Sequence, residues 1–242
     1  MPERTDRLSV IYSVIFESAF HCGTGLPRQL IDRSIQRDRH ENPIVPGSTV
    51  KGALRDRCES LAALFGLTAR SPHDLDAARA DYDAPDMIAR IFGSRVHPGG
   101  LFFDDLRLTH TDRVLFERTP SFGSTVRTQV SLSRRTGAAR PKFLFSSEYG
   151  PPGVTFEGKI HGHATGLPVD VPPDSPTYTT LLLVAGLLAL DRLGGSRSAG
   201  AGRCRSEINT IKVNGESCDY SPWLDRLADL EYADLAWAEV QA

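Results

Sequence analysis

Pro46-Gly47-Ser48-Thr49-Val50-Lys51-Gly52-Ala53-Leu54-Arg55 is the stretch on which the reading of this chain turns. Pro46-Gly47 signals a turn, Ser48 is a favoured helix N-cap, and Val50, Leu54, Cys58, Leu61 and Phe65 follow at helical spacing. The pattern predicts a helix starting at Ser48. Its third helical residue is Lys51, where a capping box would place Glu or Gln, so the helix mouth stays positive. Lys51 and Arg55 share a face away from the apolar stripe, beside free N–H groups and the positive end of the helix dipole. That combination is a seat for phosphate. Spacing alone supports a solvated face with two ordinary cations equally well.

Outward from this helix the chain alternates strands and helices. Leu8 to Phe16, rich in β-branched residues, reads as a strand that exits through the turn residues Ser18 to Gly25. Gly23-Thr24-Gly25 is no dinucleotide fingerprint, since no third glycine or following helix fits. Leu26 to Val45 reads as a long ordered loop, a feature more often functional than accidental. Residues 67–98 form an Asp- and Ala-rich helical insertion with a short helix at Met87 to Phe92, and Leu101 to Thr109 is a second strand. In 110–150, Arg127, Arg134, Arg135, Arg140 and Lys142 interleave with Phe116, Phe122, Phe143, Phe145 and Tyr149. A protruding hairpin that wedges into nucleic acid has this pattern, and so does a satellite aromatic core under solvated arginines.

Gly153 to Gly162 alternates as a third strand. Ser175-Pro176 opens a helix whose body, Thr179 to Leu193, is apolar nearly all round and so must be buried, with Gly194 as its C-cap. In Gly194 to Arg205 the glycines let backbone approach a phosphate chain beside Arg197, Arg203 and Arg205, although a flexible linker reads similarly. Arg205 to Val213 is a fourth strand. Ser221-Pro222 begins a last helix with Trp223, Leu227, Leu230 and Trp237 on one face. The order gives an α+β class and a ferredoxin-like (RRM-like) βαββαβ core over 1–215, followed by an acidic helix over 216–242 that packs on the core or a neighbour. That fold by itself implies no function.

Composition bounds the rest. With 242 residues and 40% hydrophobic content the chain buries a real core. Its first residues are charged and show no signal peptide. The longest apolar run, Leu181 to Leu190, is half what a membrane span of roughly 20 residues needs. Cys22, Cys58, Cys204 and Cys218 have no zinc-type spacing and imply no disulfide framework, which makes a reducing cytoplasm the expected location. The formal charge is −2, but residues 216–242 hold seven acids against Arg226 alone, which leaves the remainder cationic. Only four of the 28 cations are lysine. Arginine forks suit phosphate and bases, and a high-GC genome enriches arginine with no functional reason.

The Pro46 to Arg55 stretch resembles the Pro-Gly-Ser-Ser-(aliphatic)-Lys-Gly-(small)-(aliphatic)-Arg signature of the RAMP superfamily of CRISPR effector proteins, with Thr49 and Val50 as mild departures. Ser131-Leu132-Ser133-Arg134-Arg135-Thr136-Gly137-Ala138-Ala139, followed by Phe145, Glu148 and Phe156, is similar to the thumb hairpin and returning strand of the type III backbone subunit. This resemblance implies a subunit that assembles in helical copies, with other RAMP subunits, along a guide RNA. It also implies cleavage of complementary target RNA by a loop aspartate. The matching run, Leu30-Ile31-Asp32-Arg33-Ser34-Ile35-Gln36-Arg37-Asp38, puts Asp32 on the catalytic position and Asp38 on a second, less critical acid. His21 falls where the family often has an RNA-contacting histidine, and guide contacts are expected at Ser48, Thr49, Lys51, Arg55, Arg134, Arg135, Arg197 and Arg203. His40-Glu41-Asn42 lacks the glycine usual before the signature.

An unperturbed Asp has a pKa of about 3.9, too low for a general base at neutral pH. Holding Mg²⁺ is the more economical role for Asp32, with Arg33 and Arg37 supporting the charge that builds on the phosphate. On residue type alone, Asp32 is one more salt-bridging acid in an arginine-rich loop. Three readings of the resemblance stand beside one another: a target-cleaving subunit, a purely structural subunit of the same complex, and a metal-independent guide-processing endonuclease that uses His21. A protein-interaction module built on the last helix is the reading outside that class.

Overall fold

The computed structural model describes residues 3–229 except 24, 29–30, 68, 72–73, 75, 77–84, 120–122 and 171–174, and describes only the backbone of 141–143. The central strand β1 (Arg4–Phe16) buries alternate residues Leu8, Val10, Tyr12, Val14 and Phe16, as the period-2 pleat requires. It starts four residues before the apolar pattern because Arg4 to Arg7 still find partners across the sheet, in Gly166 to His163. Antiparallel neighbours flank it on both sides: β7 (Thr155–Gly166) and β8 (Cys204–Val213). Beyond β7 lie β3 (Leu101–Phe103) and β4 (Leu106–Leu108), with β2 (Ile44–Val45) outside β4, and β9 (Glu216–Ser217) closes the other edge. The sequence pattern gives β3 and β4 as one strand; Asp104 and Asp105 break it, for a reason that lies in the next helix.

Helix α1 (Gly47–Leu64) begins at Gly47, not Ser48, and its N-cap is Pro46, with no side-chain cap. The missing acceptor arrives from outside: Asp105 Oδ1 accepts from Gly47 N at 2.8 Å. A Cβ on Gly47 would sit 2.0 Å from the Phe103 carbonyl oxygen, so only glycine lets the helix start against that strand end. Val50, Leu54 and Cys58 point inward and join Leu181 to Val184 and Leu187 of α4 (Tyr178–Leu188) in one buried cluster with the β1 row. Full burial of each such side chain contributes roughly 1.5–3 kcal/mol.

The cap of α4 is Thr177, whose hydroxyl accepts from Thr180 N, two residues after the predicted Ser175 start. The helix stops at Leu188, well before Gly194, and the chain beyond it turns back so that Leu193 N donates to Gly202 O. The short helix α2 (Met87–Phe92) is as expected from sequence. Helix α3 (His110–Arg118) is not: it occupies the first part of the expected hairpin segment, capped by Thr109. The hairpin proper is β5 (Thr125–Leu132) with β6 (Ala139–Tyr149), a separate two-stranded sheet. Ser221–Asp229 is a 3-10 helix; Leu230 and Trp237 lie outside the described residues. Among the described residues no helix is long and apolar enough to cross a membrane.

Candidate nucleic-acid interface

The loop after β1 is fixed first by an aromatic knot. Phe20 stacks on Phe16 at 4.2 Å between centroids, and both meet Phe156 edge-on. From there the loop is stitched to the hairpin as an added edge: Arg33 N donates to Ser146 O at 3.1 Å, and Glu148 N to Arg33 O at 2.8 Å. The buried Glu148 carboxylate holds the junction, accepting from Arg37 Nη2 at 2.6 Å, Ser124 Oγ at 2.7 Å and Ile35 N at 3.0 Å. Burial pushes its carboxyl up, but the bonds from Ser124, Arg37 and Ile35 outweigh that and hold it below its ordinary value.

Three bonds to Ser146 then aim Asp32. Its Oδ2 accepts from Ser146 N at 2.7 Å and Ser146 Oγ at 3.0 Å, and Asp32 N donates to Ser146 Oγ at 3.1 Å. The backbone bond, then the hydroxyl bond, hold this exposed carboxyl below the usual aspartate range, so it is anionic at neutral pH. His21 Nδ1 lies 2.7 Å from the Glu148 carbonyl oxygen, which can only accept, so Nδ1 carries a proton and in the neutral ring the lone pair is on Nε2. Gly195 N donates to His21 O at 2.8 Å, and a Cβ on Gly194 (φ 89°) would meet that oxygen at 2.5 Å, which seats the glycine loop against the histidine. The Arg33 guanidinium lies over the Phe145 ring, 4.9 Å from its centroid.

These segments enclose an open cleft of about 630 Å³ whose walls include His21, Asp32, Arg33, Ser48, Thr49 and Arg197, with Gly194 and Gly195 at the rim. The first turn of α1 therefore faces Asp32, from a segment distant in sequence. Several expected participants go elsewhere. Lys51 leans over Phe103 (5.6 Å), and burial, then the neighbouring Arg55, holds its ammonium below the ordinary range. Arg55 donates to Glu59 Oε1 at 2.7 Å and to the Gly93 carbonyl at 2.9 Å, which closes the end of α2. Neither cation lines the cleft, because the first turn presents Ser48, Thr49, Gly52 and Ala53 to it instead.

Arg37 is spent on Glu148 and on the Glu41 carbonyl (2.8 Å). Asp38 turns back on its own loop, accepting from His40 N and Asn42 N at 2.8 and 3.0 Å, and lines a different cleft. Arg203 pairs with Glu17 at 2.8 Å, and Arg134 and Arg135 stand exposed at the hairpin turn. Of the aromatic and cationic residues expected in the hairpin, Phe122 and the side chains of Lys142 and Phe143 lie outside the described residues. Ser146 and Asp105, which fix Asp32 and the start of α1, carry no local sequence signal: each acts across a long separation in the chain.

Among the described residues no three His, Cys, Asp or Glu side chains converge on a metal-sized point. Among the described residues Asp32 is the one carboxylate in the cleft wall. A single carboxylate is not a metal site in itself and fits at most one ligand to a hydrated Mg²⁺.

An antiparallel sheet with helices, an appended hairpin and an open cleft shared by the first turn of α1 and the Asp32 loop make this an α+β protein. The chain belongs to the RAMP superfamily, whose profile matches residues 14–205. Comparison with curated proteins returns no match. Among solved structures it is similar in fold to a chain of the type III-B Cmr-beta complex in its apo state, with TM-score 0.52 and 13% identity over 83% of this chain and 97% of that one. It is similar also to a chain of type III-B Cmr-beta bound to cognate target RNA, with TM-score 0.54 and 12% identity over 83% of this chain and 96% of that one.

Proposed function

We propose that this chain is a guide-RNA-binding backbone subunit of a CRISPR type III effector complex and that Asp32 cuts the complementary target RNA. The observation that carries this reading is the shared cleft: Asp32, on a loop clamped to the hairpin, and the Ser48–Thr49 mouth of α1 line the same space. RAMP membership and the fold shared with Cmr-beta chains support it. The sheet path β4, β7, β1, β8, all antiparallel, supports a ferredoxin-like core with β5–β6 as the thumb and residues 1–215 as one RAMP domain. Other RAMP subunits and further copies of this chain are its partners, in the cytoplasm.

The Ser48 and Thr49 hydroxyls at the mouth of α1, at the positive end of its dipole, receive a phosphate of the guide backbone, since Gly47 N is taken by Asp105 and Thr49 N and Val50 N by the Pro46 carbonyl. Arg197 adds a fork at the rim, and Arg134 and Arg135 extend the grip along the thumb. Asp32, held anionic by Ser146, faces the target strand, and the Arg33 guanidinium offsets charge that builds on the scissile phosphate. Asp32 would hold a hydrated Mg²⁺ there, which supplies charge neutralisation at that phosphate when bound. A second reading draws on the His21 tautomer: Nε2 takes the proton of a 2′-hydroxyl, the O2′–P bond forms as the P–O5′ bond breaks, and O5′ leaves as a hydroxyl by taking a proton from water, without a metal. In the assembled complex, Asp32→Asn should slow target cleavage at least about 100-fold with target binding unchanged. Undiminished cleavage would favour the structural-subunit reading. Activity that survives chelation and is lost in His21→Ala would favour the histidine reading.

A further inference from the structure

A second cleft, of about 710 Å³, opens between the 38–44 segment, β4 and α3 and shares no lining residue with the Asp32 cleft. Its walls carry Arg39, Arg107 and Arg113 against two acids, Asp38 and Glu117. Those acids do not satisfy the arginines. Arg107 Nη1 stands 3.8 Å from Asp38 Oδ2, and Arg113 Nε 3.8 Å from Glu117 Oε1, both beyond hydrogen-bond length. Asp38 has already committed Oδ1 to the N–H groups of His40 and Asn42. Arg107 and Arg113 remain 66% and 51% exposed, so their forks are free to rearrange around a ligand.

A further observation points to an occupant. Asn42 lines this cleft, is only 6% exposed, and its Nδ2 has no hydrogen-bond partner among the described residues. A buried donor left unpaired is unusual and calls for an acceptor. His40 Nε2 takes the bond from Arg39 Nε at 3.0 Å, so it does not compete for that role. Exposed guanidinium forks, with a buried amide donor in the wall behind them, match the two non-bridging oxygens of a phosphodiester.

We infer that this cleft is a second phosphate-binding site, taking a phosphodiester of an RNA strand on the other side of the loop that carries Asp32. The inference rests on the RNA-binding reading above and adds a place where the strand is held. The test is fluorescence anisotropy of a labelled single-stranded RNA with the full chain across a salt series, comparing wild type, Arg107→Ala/Arg113→Ala and Arg197→Ala. The double variant should bind about tenfold more weakly and lower the slope of log K against log salt by about 1.4, because two phosphate contacts to a single strand are lost. Its melting temperature should match wild type, since both side chains are exposed and loosely paired. Arg107→Lys should keep the salt slope and recover only part of the affinity, because it restores charge without the fork.

Unchanged affinity and slope in the double variant, with Arg197→Ala weakened, would overturn the second site and leave the Asp32 cleft standing. A wild-type chain that binds no RNA at any salt would overturn both. A peptide of residues 229–242 that displaces RNA from wild type but not from the double variant would overturn the RNA assignment in favour of the acidic tail of another copy. Displacement by inorganic phosphate with no loss of affinity in the double variant would mark an adventitious ion only.

Discussion

Asp32 and Asp38 sit in one arginine-rich loop, six residues apart, and their surroundings send them in opposite directions. Asp38 spends an oxygen on two N–H groups of its own loop and is 14% exposed, a turn-forming acid of the kind found wherever a chain must reverse. Asp32 is clamped by a serine on another element and left exposed in the wall of a cleft. The residue type is the same. What separates the two is which N–H groups each satisfies, and that depends on the hairpin docked behind the loop.

The comparison breaks most completely if the scaffold between the two acids is removed. Glu148→Ala leaves the Arg37 guanidinium, 16% exposed, without its carboxylate and should cost about 3–5 kcal/mol, lowering the melting temperature by roughly 2–4 °C for each kcal/mol. Calorimetry checks it. The pH dependence has a definite sign: the folded-state pKa of Glu148 is depressed, so its contribution is present above the unfolded pKa of about 4.3 and is lost as pH falls through the lower folded value.

Next in size is the kinetic contrast. Asp32→Asn should lose cleavage at least about 100-fold, equivalent to about 2.7 kcal/mol, while Asp38→Asn stays within roughly threefold of wild type in single-turnover assays. Asp38→Ala should instead cost about 1 kcal/mol of stability in a denaturant titration, the scale of a lost side-chain-to-backbone cap. The smallest effect sharpens the account of Asp32 itself. Ser146→Ala removes the hydroxyl bond that lowers its pKa, so the acid limb of the pH–rate profile should move to higher pH.

Most strands and helices were legible because their cause is local. Alternating Leu8 to Phe16 can only be a half-buried strand, and the all-apolar run from Leu181 can only be an interior helix. The errors fall where a distant residue supplies what sequence reasoning sought nearby. Asp105 caps α1 from 58 positions away, so the helix begins at Gly47 without using Ser48, and the same carboxylate belongs to the break between β3 and β4. Lys51 and Arg55 share a helical face, as their spacing requires, but that face meets Phe103 and the end of α2. The resemblance to a family motif singles out Asp32 as a candidate; the serine that orients it carries no such signal, because 114 residues separate them.

The account stands on the guide strand lying across the first turn of α1 within reach of Asp32. Site-specific crosslinking from 4-thiouridine in the guide, within the assembled complex, measures this directly. Crosslinked peptides should come from both the Ser48–Ala53 turn and the Gly194–Arg197 loop, and should weaken as salt rises. Guide crosslinks confined to the outer face of the sheet, with neither segment labelled, would contradict it.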